Sequence, residues 1–253
     1  MISQIKLLIA KAINVKAIGI TISYFLKDKI KYNSLVFDTS SIRISPYIKS
    51  MIFWGLYEKA EIKFANKYIK GDRDIIELGS SLGIVSCTLG KLKGDSKLIC
   101  IEINPALIDI ISANLKLNKI ENVVVLNIGI GRSGDVLFFE GGEHNTHGKV
   151  LNFQTSTTLQ VKLLSLSYVK EKYKIDDGFI LVCDIEGSEI DIVLNEPSLL
   201  EKCSMIILES HDVSRSDHNY SYVNVKDLFL EIGFCVIDEY DNNYVLVNNK
   251  YAN

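Results

Sequence analysis

The sequence predicts a three-layer α/β fold: a mostly parallel seven-stranded sheet that closes on a C-terminal antiparallel hairpin. Three observations predict it. Short apolar runs alternate with amphipathic helical segments from residue 74 to residue 232, the pattern of a parallel sheet covered on both faces. The first run, Ile75-Ile76-Glu77-Leu78, enters the turn Gly79-Ser80-Ser81-Leu82-Gly83, and nineteen residues later the second run reaches Glu102. The last two runs flank Asp241-Asn242, a two-residue hairpin turn.

The elements follow in order. Residues 74–78 form the first strand and 82–92 the helix after it. Residues 97–103 are the second strand. Asn104 then caps and Pro105 opens a helix with Leu107, Ile110, Ile111 and Leu115 on one face. Residues 122–128 are the third strand. Residues 136–140 and 159–164 are short extra strands around a loop at 141–156. Residues 166–173 are helical. The Val/Ile/Leu/Cys run at 179–184 is a buried strand. A helix at 188–200 and a strand at 204–209 come next. The helix at 222–232 ends at Gly233, a C-terminal cap, and strands 234–240 and 243–247 close the chain. We divide the chain into an N-terminal helical or extended extension, 1–50, and a catalytic domain, 51–253.

The extension is rich in Ile, Leu and Ala, but Lys6, Lys11 and Lys16 interrupt it on different sides of a helical wheel. Its longest uncharged stretch, 17–26, is about half a membrane span. No cleavage site follows it. We expect no membrane span, and a segment that packs on the domain or joins a second copy in a homo-oligomer.

Composition narrows the partners. The 253 residues are 47% hydrophobic and 23% charged, enough for a full core. A net charge of −3 without a basic stripe gives no pull toward nucleic acid. The five cysteines lie in or beside apolar runs and form no C-x-x-C pair, so they read as reduced core residues of a cytoplasmic protein.

The turn carries the chemistry. Glycine lets backbone approach a ligand, and an acid about 20 residues on can bond ribose hydroxyls. That is a nucleoside-cofactor site in a Rossmann-like sheet. The spacing is Glu77-x-Gly79-x-x-x-Gly83 and not G-x-G-x-x-G. It resembles motif I of class I S-adenosylmethionine-dependent methyltransferases, whose turn faces the amino-acid part of a cofactor without pyrophosphate.

Four segments in this order resemble the FkbM family of methyltransferases. They are Gly55-Leu56-Tyr57-Glu58-Lys59-Ala60-Glu61; Glu77 to Gly83 with Glu102-Ile103-Asn104-Pro105; Asn127-Ile128-Gly129; and Asp184-Ile185-Glu186-Gly187-Ser188-Glu189 with Glu209-Ser210-His211. Val182 stands where that family usually has lysine, and Gly129 where it has alanine. The resemblance covers about residues 50–247. It implies an O-methyltransferase acting on a sugar hydroxyl of a glycan, glycolipid or glycosylated small molecule in polysaccharide biosynthesis. Alternatives are a polyketide hydroxyl, a phosphate-type group or a protein as acceptor, or a non-catalytic cofactor-binding scaffold.

The expected cofactor contacts are Tyr57, Glu58, Glu77, Gly79, Ser80, Ser81, Gly83, Glu102, Ile103, Asn127, Ile128, Gly129, Asp184 and Glu186. Tyr57 lies over the cofactor, Glu58 bonds its amino group, and Glu102 takes the ribose hydroxyls. The catalytic candidates are His211, Asp184 and Glu209, which end adjacent strands at the sheet edge where ligands bind. His211 is the first choice of base, because an unperturbed imidazole titrates near neutrality. Glu186 and Glu189 alternatively charge the start of the next helix. Asp184, Glu209 and His211 also have the chemistry to hold a hard divalent ion; we do not assign a metal. His144 and His147, in the loop, are not ranked as catalytic.

Overall fold

The computed structural model describes residues 16–131, 135–141, 148–151, 159–214 and 218–252. The described residues begin with helix α1 (Lys16–Leu26) and a hairpin of β1 (Lys29–Tyr32) and β2 (Leu35–Asp38). The hairpin was not legible as such. It turns at Asn33 and Ser34, both at positive φ, as a two-residue hairpin loop demands. Helix α2 (Pro46–Phe53) follows, with Ser45 capping the Ile48 N–H at 3.3 Å. Then come α3 (Lys59–Tyr68), β3 (Ile75–Leu78), α4 (Ile84–Leu92) and β4 (Leu98–Glu102). Asn104 caps a short 3-10 turn, Pro105–Leu107, that leads into α5 (Ile108–Leu117).

Strand β5 (Val123–Asn127) is followed by a small second sheet built from β6 (Gly129–Ile130), β7 (Val136–Gly141), β8 (Gly148–Leu151) and β9 (Leu159–Leu164). Strand β8 lies inside the segment expected to be loop; it pairs antiparallel with β7. His144 and His147 lie outside the described residues.

After α6 (Leu166–Lys172) and β10 (Phe179–Cys183), the helix expected over 188–200 is two helices, α7 (Glu189–Asn195) and α8 (Pro197–Leu200). Pro197 is the reason: it has no N–H, and it drives the residue before it out of the helical region. Glu196 takes φ −131°. Its carboxylate then accepts the Leu166 and Ser167 N–H groups at 2.7 Å each, capping the start of α6. Strand β11 (Cys203–Glu209), a short hairpin of β12 (Val213–Ser214) and β13 (Asn219–Tyr220), α9 (Tyr222–Glu231), β14 (Phe234–Tyr240) and β15 (Asn243–Asn248) complete the fold.

The main sheet has the order β14-β15-β11-β10-β3-β4-β5. Strands β11, β10, β3, β4 and β5 pair in parallel, and β15 runs antiparallel to both β11 and β14. Residue alternation sorts the side chains into two cores. Ile75, Ile180, Val182, Met205 and Ile207 face α3, α4 and α5. Ile76, Leu78, Leu181, Cys183, Ile206 and Leu208 face α6, α7 and α9.

The N-terminal elements join the first core through Ile30, Leu35, Phe37, Ile48 and Ile52. Asn118 accepts the Val36 N–H and Asn114 the Asp38 N–H, each at 2.8 Å, tying the hairpin to α5. Among the described residues no helix is long and apolar enough to cross a membrane.

Candidate functional site

Strand β3 lies between β4 and β10, and the chain fills one side of it before the other. That reversal opens a crevice at the carboxyl ends of the strands. The turn after β3 lines it. Gly79 sits at φ +87°, and a Cβ there would lie 1.8 Å from the Asp184 carbonyl oxygen. No other residue fits this approach of β3 to β10. Gly83, at φ +75°, opens α4 against Ile111.

Glu102 ends β4, 6% exposed. Its two oxygens accept the Ser81 N–H at 2.8 Å and the Asn104 N–H at 2.7 Å. Each carboxylate oxygen has a second lone pair, so two acceptor positions remain. Burial pushes the carboxyl up to about 7, against the pull of those two N–H groups. Asn127 donates to the Glu102 and Ile103 carbonyls at 2.9 and 3.0 Å, locking the ends of β4 and β5 together. Ile103 packs beside Gly129, and Ile128 is buried.

Glu77 faces the other way. Being in phase with Ile75, it points under α4, where Ser80 and Ser86 hydroxyls donate to its Oε2 at 2.7 and 2.5 Å. It is 1% exposed, and burial raises its pKa. Its bonds support the turn from below. The Tyr57 hydroxyl meets Ser81 Oγ at 2.7 Å, bringing the segment before α3 onto the turn. Glu58 adopts φ +48° just before α3, and its Oε2 is buried without a hydrogen-bond partner.

The second half of the site is a nest of acids around one imidazole. His211 Nε2 lies 3.7 Å from Asp184 Oδ1, 3.7 Å from Glu186 Oε2 and 3.8 Å from Glu209 Oε1. Its Nδ1 donates to Glu189 Oε1 at 3.0 Å. Glu189 is fully buried, and the same oxygen accepts the Ile185 and Gly187 N–H groups. That bond places the Nδ1 proton and turns Nε2 to the crevice. Burial opposes the imidazolium, but Glu189, Asp184 and Glu186 outweigh it and carry the ring up to about 9. His211 is therefore an imidazolium at neutral pH. The near-neutral titration expected from its type does not hold in this setting.

Burial, then the Glu209 charge, raises the pKa of Asp184. Glu61 belongs here as well. It is 5% exposed, and its pKa is raised first by burial and then by Glu209. The site reading omitted it; the available signal was a carboxylate on the buried face of α3, beside Ile62 and Ala65. Asp184, Glu186 and His211 bring ligand-type atoms within 4.8 Å of one another, and so do Glu61, Asp184 and Glu209.

Residues 70–236 match the family model described as the methyltransferase FkbM domain. Among curated proteins none matches the chain. Three solved structures resemble it weakly. A protein of the NADB-Rossmann superfamily from Streptococcus agalactiae has a TM-score of 0.44 at 11% identity, over 74% of this chain and 65% of that one. This chain thus spans just under two thirds of that relative. A ribosomal protein L11 methylase from Lactobacillus delbrueckii subsp. bulgaricus has a TM-score of 0.45 at 12% identity, over 74% of this chain and 75% of that one. A SAM-dependent methyltransferase from Aquifex aeolicus has a TM-score of 0.40 at 14% identity, over 76% of this chain and 91% of that one. At these scores the assignment rests on the family match, which spans well over half of the sequence and includes the turn, Glu102, Asp184, Glu186, Glu189, Glu209 and His211. This chain belongs to the FkbM methyltransferase family.

Proposed function

We propose that the acceptor is a sugar hydroxyl of a glycan, glycolipid or glycosylated small molecule, methylated on oxygen. One observation carries the reading: Asp184, Glu186, Glu209 and His211 converge at the carboxyl ends of β10 and β11, beside the glycine turn. A polyol offers several O–H donors, and this wall offers carboxylate acceptors for them. The same acids repel a phosphate-type acceptor.

The cofactor lies along Gly79, Ser80, Ser81 and Gly83, with its ribose on Glu102 and its base near Ile103, Ile128 and Gly129. Glu77 and Asn127 brace this wall through the bonds described above. Tyr57, Glu58, Asp184 and Glu186 close on the methionine end. Methyl transfer needs the sulfonium methyl and the acceptor oxygen about 3 Å apart and in line. It also needs a base for the hydroxyl proton. His211 in its neutral form, Asp184 and Glu209 are the groups placed to take that proton. Residues 51–253 carry this chemistry, and the described part of the extension, residues 16–50, shares a core with them. The five cysteines, none in a disulfide, fit a reducing cytoplasmic setting.

The test is incubation with S-adenosylmethionine and a panel of sugars, glycolipids, polyketide alcohols and peptides, read by mass spectrometry for the gain of one methylene. Product on a sugar is expected. Product only on a peptide or polyketide would overturn the acceptor assignment. Magnesium and a chelator are added in parallel, and neither should change the rate. A rate abolished by chelator would recast Asp184 and Glu209 as ligands of an ion that acidifies the hydroxyl.

A further inference from the structure

The chain separates its charge by segment. Residues 1–50 carry eight Lys or Arg and two Asp, a net +6, while the whole chain is −3; the remainder is therefore −9. The same stretch is also where apolar surface is left outside. Among the described residues, eight of the sixteen exposed large hydrophobic side chains lie between positions 20 and 54. That density is far above the scattered exposure normal for a surface.

Helix α1 shows how the two features combine. Its inner face is pressed on α2: a Cβ on Gly19 would lie 1.9 Å from the Pro46 carbonyl oxygen, and Ile22 is buried. Ile20, Thr21, Tyr24 and Phe25 share the opposite arc. Tyr24 is 80% exposed, Phe25 75% and Ile20 54%. Lys27, Lys31 and Arg43 are exposed in the adjoining segment. In the same stretch of sequence Ile42 is fully exposed, and Trp54, the only tryptophan in the chain, is about half exposed.

We infer that this face docks on a membrane surface carrying anionic lipid headgroups, with the aromatic side chains of α1 entering the headgroup layer. A basic segment with outward Tyr, Phe and Trp is the chemistry of an interfacial anchor. Anionic lipid attracts the +6 segment and repels the −9 body, so the docked molecule has one orientation. A symmetric dimer through the same face would set one +6 segment against another, which the charge disfavours. The helix lies on the membrane, and its eleven described residues are too few to span it. In the sequence alone Lys6, Lys11 and Lys16 are not one-sided, which argues against a membrane helix. The apolar arc becomes visible only once the Gly19–Pro46 contact defines which face of α1 points out.

The experiment uses the full chain with vesicles of phosphatidylcholine alone and of phosphatidylcholine containing one quarter phosphatidylglycerol. Co-sedimentation reports binding, and Trp54 fluorescence reports entry into the interface. At low salt we expect binding and a blue shift with the anionic vesicles, and at least roughly tenfold weaker partition to the neutral ones. Binding should vanish near 1 M salt, where the Debye length is about 3 Å. The double variant Tyr24→Ser/Phe25→Ser should melt at the parent temperature, since both side chains are exposed, yet lose roughly tenfold in partition. Lys27→Glu with Lys31→Glu should lose a similar factor at low salt only. No sedimentation with anionic vesicles, or equal partition of parent and double variant, overturns the proposal. So does a vesicle-independent dimer, seen by light scattering, that the double variant dissolves; the face would then belong to a second copy.

Discussion

At the scale of single residues, the site is governed by carboxylates held out of water. Glu102 receives one N–H on each oxygen, from Ser81 and Asn104. Glu102→Gln presents an amide N–H₂ to one of those donors and so leaves it unmatched. We expect the dissociation constant for S-adenosylmethionine to rise at least tenfold, from the loss of about 1.5–3 kcal/mol of charged hydrogen bonding. Calorimetric titration checks this, and an unchanged constant removes Glu102 from the cofactor site.

His211 carries the second prediction. Its pKa is raised above the ordinary 6.5 to about 9, so the imidazolium stabilises the fold below about pH 6.5 and that contribution is lost as pH rises through 9. If the neutral ring is the base, only about one molecule in a hundred is competent at pH 7, and the rate climbs roughly tenfold per unit until pH 9. Glu189→Gln removes the carboxylate at Nδ1 and should shift that rise to lower pH. A flat profile from pH 7 to 9 would pass the role of base to Asp184 or Glu209.

At the scale of elements, turns and caps decide where the strands deliver their ends. Gly79 is the tightest case: its φ of +87° and its contact with the Asp184 carbonyl exclude any Cβ. Gly79→Ala should cost about 2 kcal/mol or more of stability, read by urea denaturation, and should weaken cofactor binding in the molecules that still fold. Wild-type stability in that variant would mean that β3 and β10 can separate at this point. The break at Glu196 is a second case. The missing N–H of Pro197 splits a helix, and the same break frees the Glu196 carboxylate to cap α6.

At the scale of the whole molecule, the two faces of the sheet are covered differently. One core is closed by α6, α7, α8 and α9. The other takes in the N-terminal hairpin and α2, so the extension is built into the protein and is not appended to it. The 50/51 division used in reading the sequence falls within α2, which contributes Ile48 and Ile52 to that shared core. Along the sequence, the extension is basic and the remainder acidic.

The sequence by itself determined the class of fold, because period-two apolar runs, helical periodicity, Gly79, Gly83, Gly233 and the Asp241-Asn242 turn are local signals, each read within a few residues. It marked the family for the same reason: motif I and Glu102 lie on consecutive elements. It marked His211 and the acids near it, since strand ends are legible. What it left to the tertiary structure was every property that depends on segments distant along the chain. Glu61 joins Glu209 only because α3 packs against β11. Glu77 turns away from the crevice because Ser86 waits under it on α4. His211 becomes a cation because four carboxylates from two segments surround it, and electrostatic energy depends on distances through space that spacing along the chain does not encode.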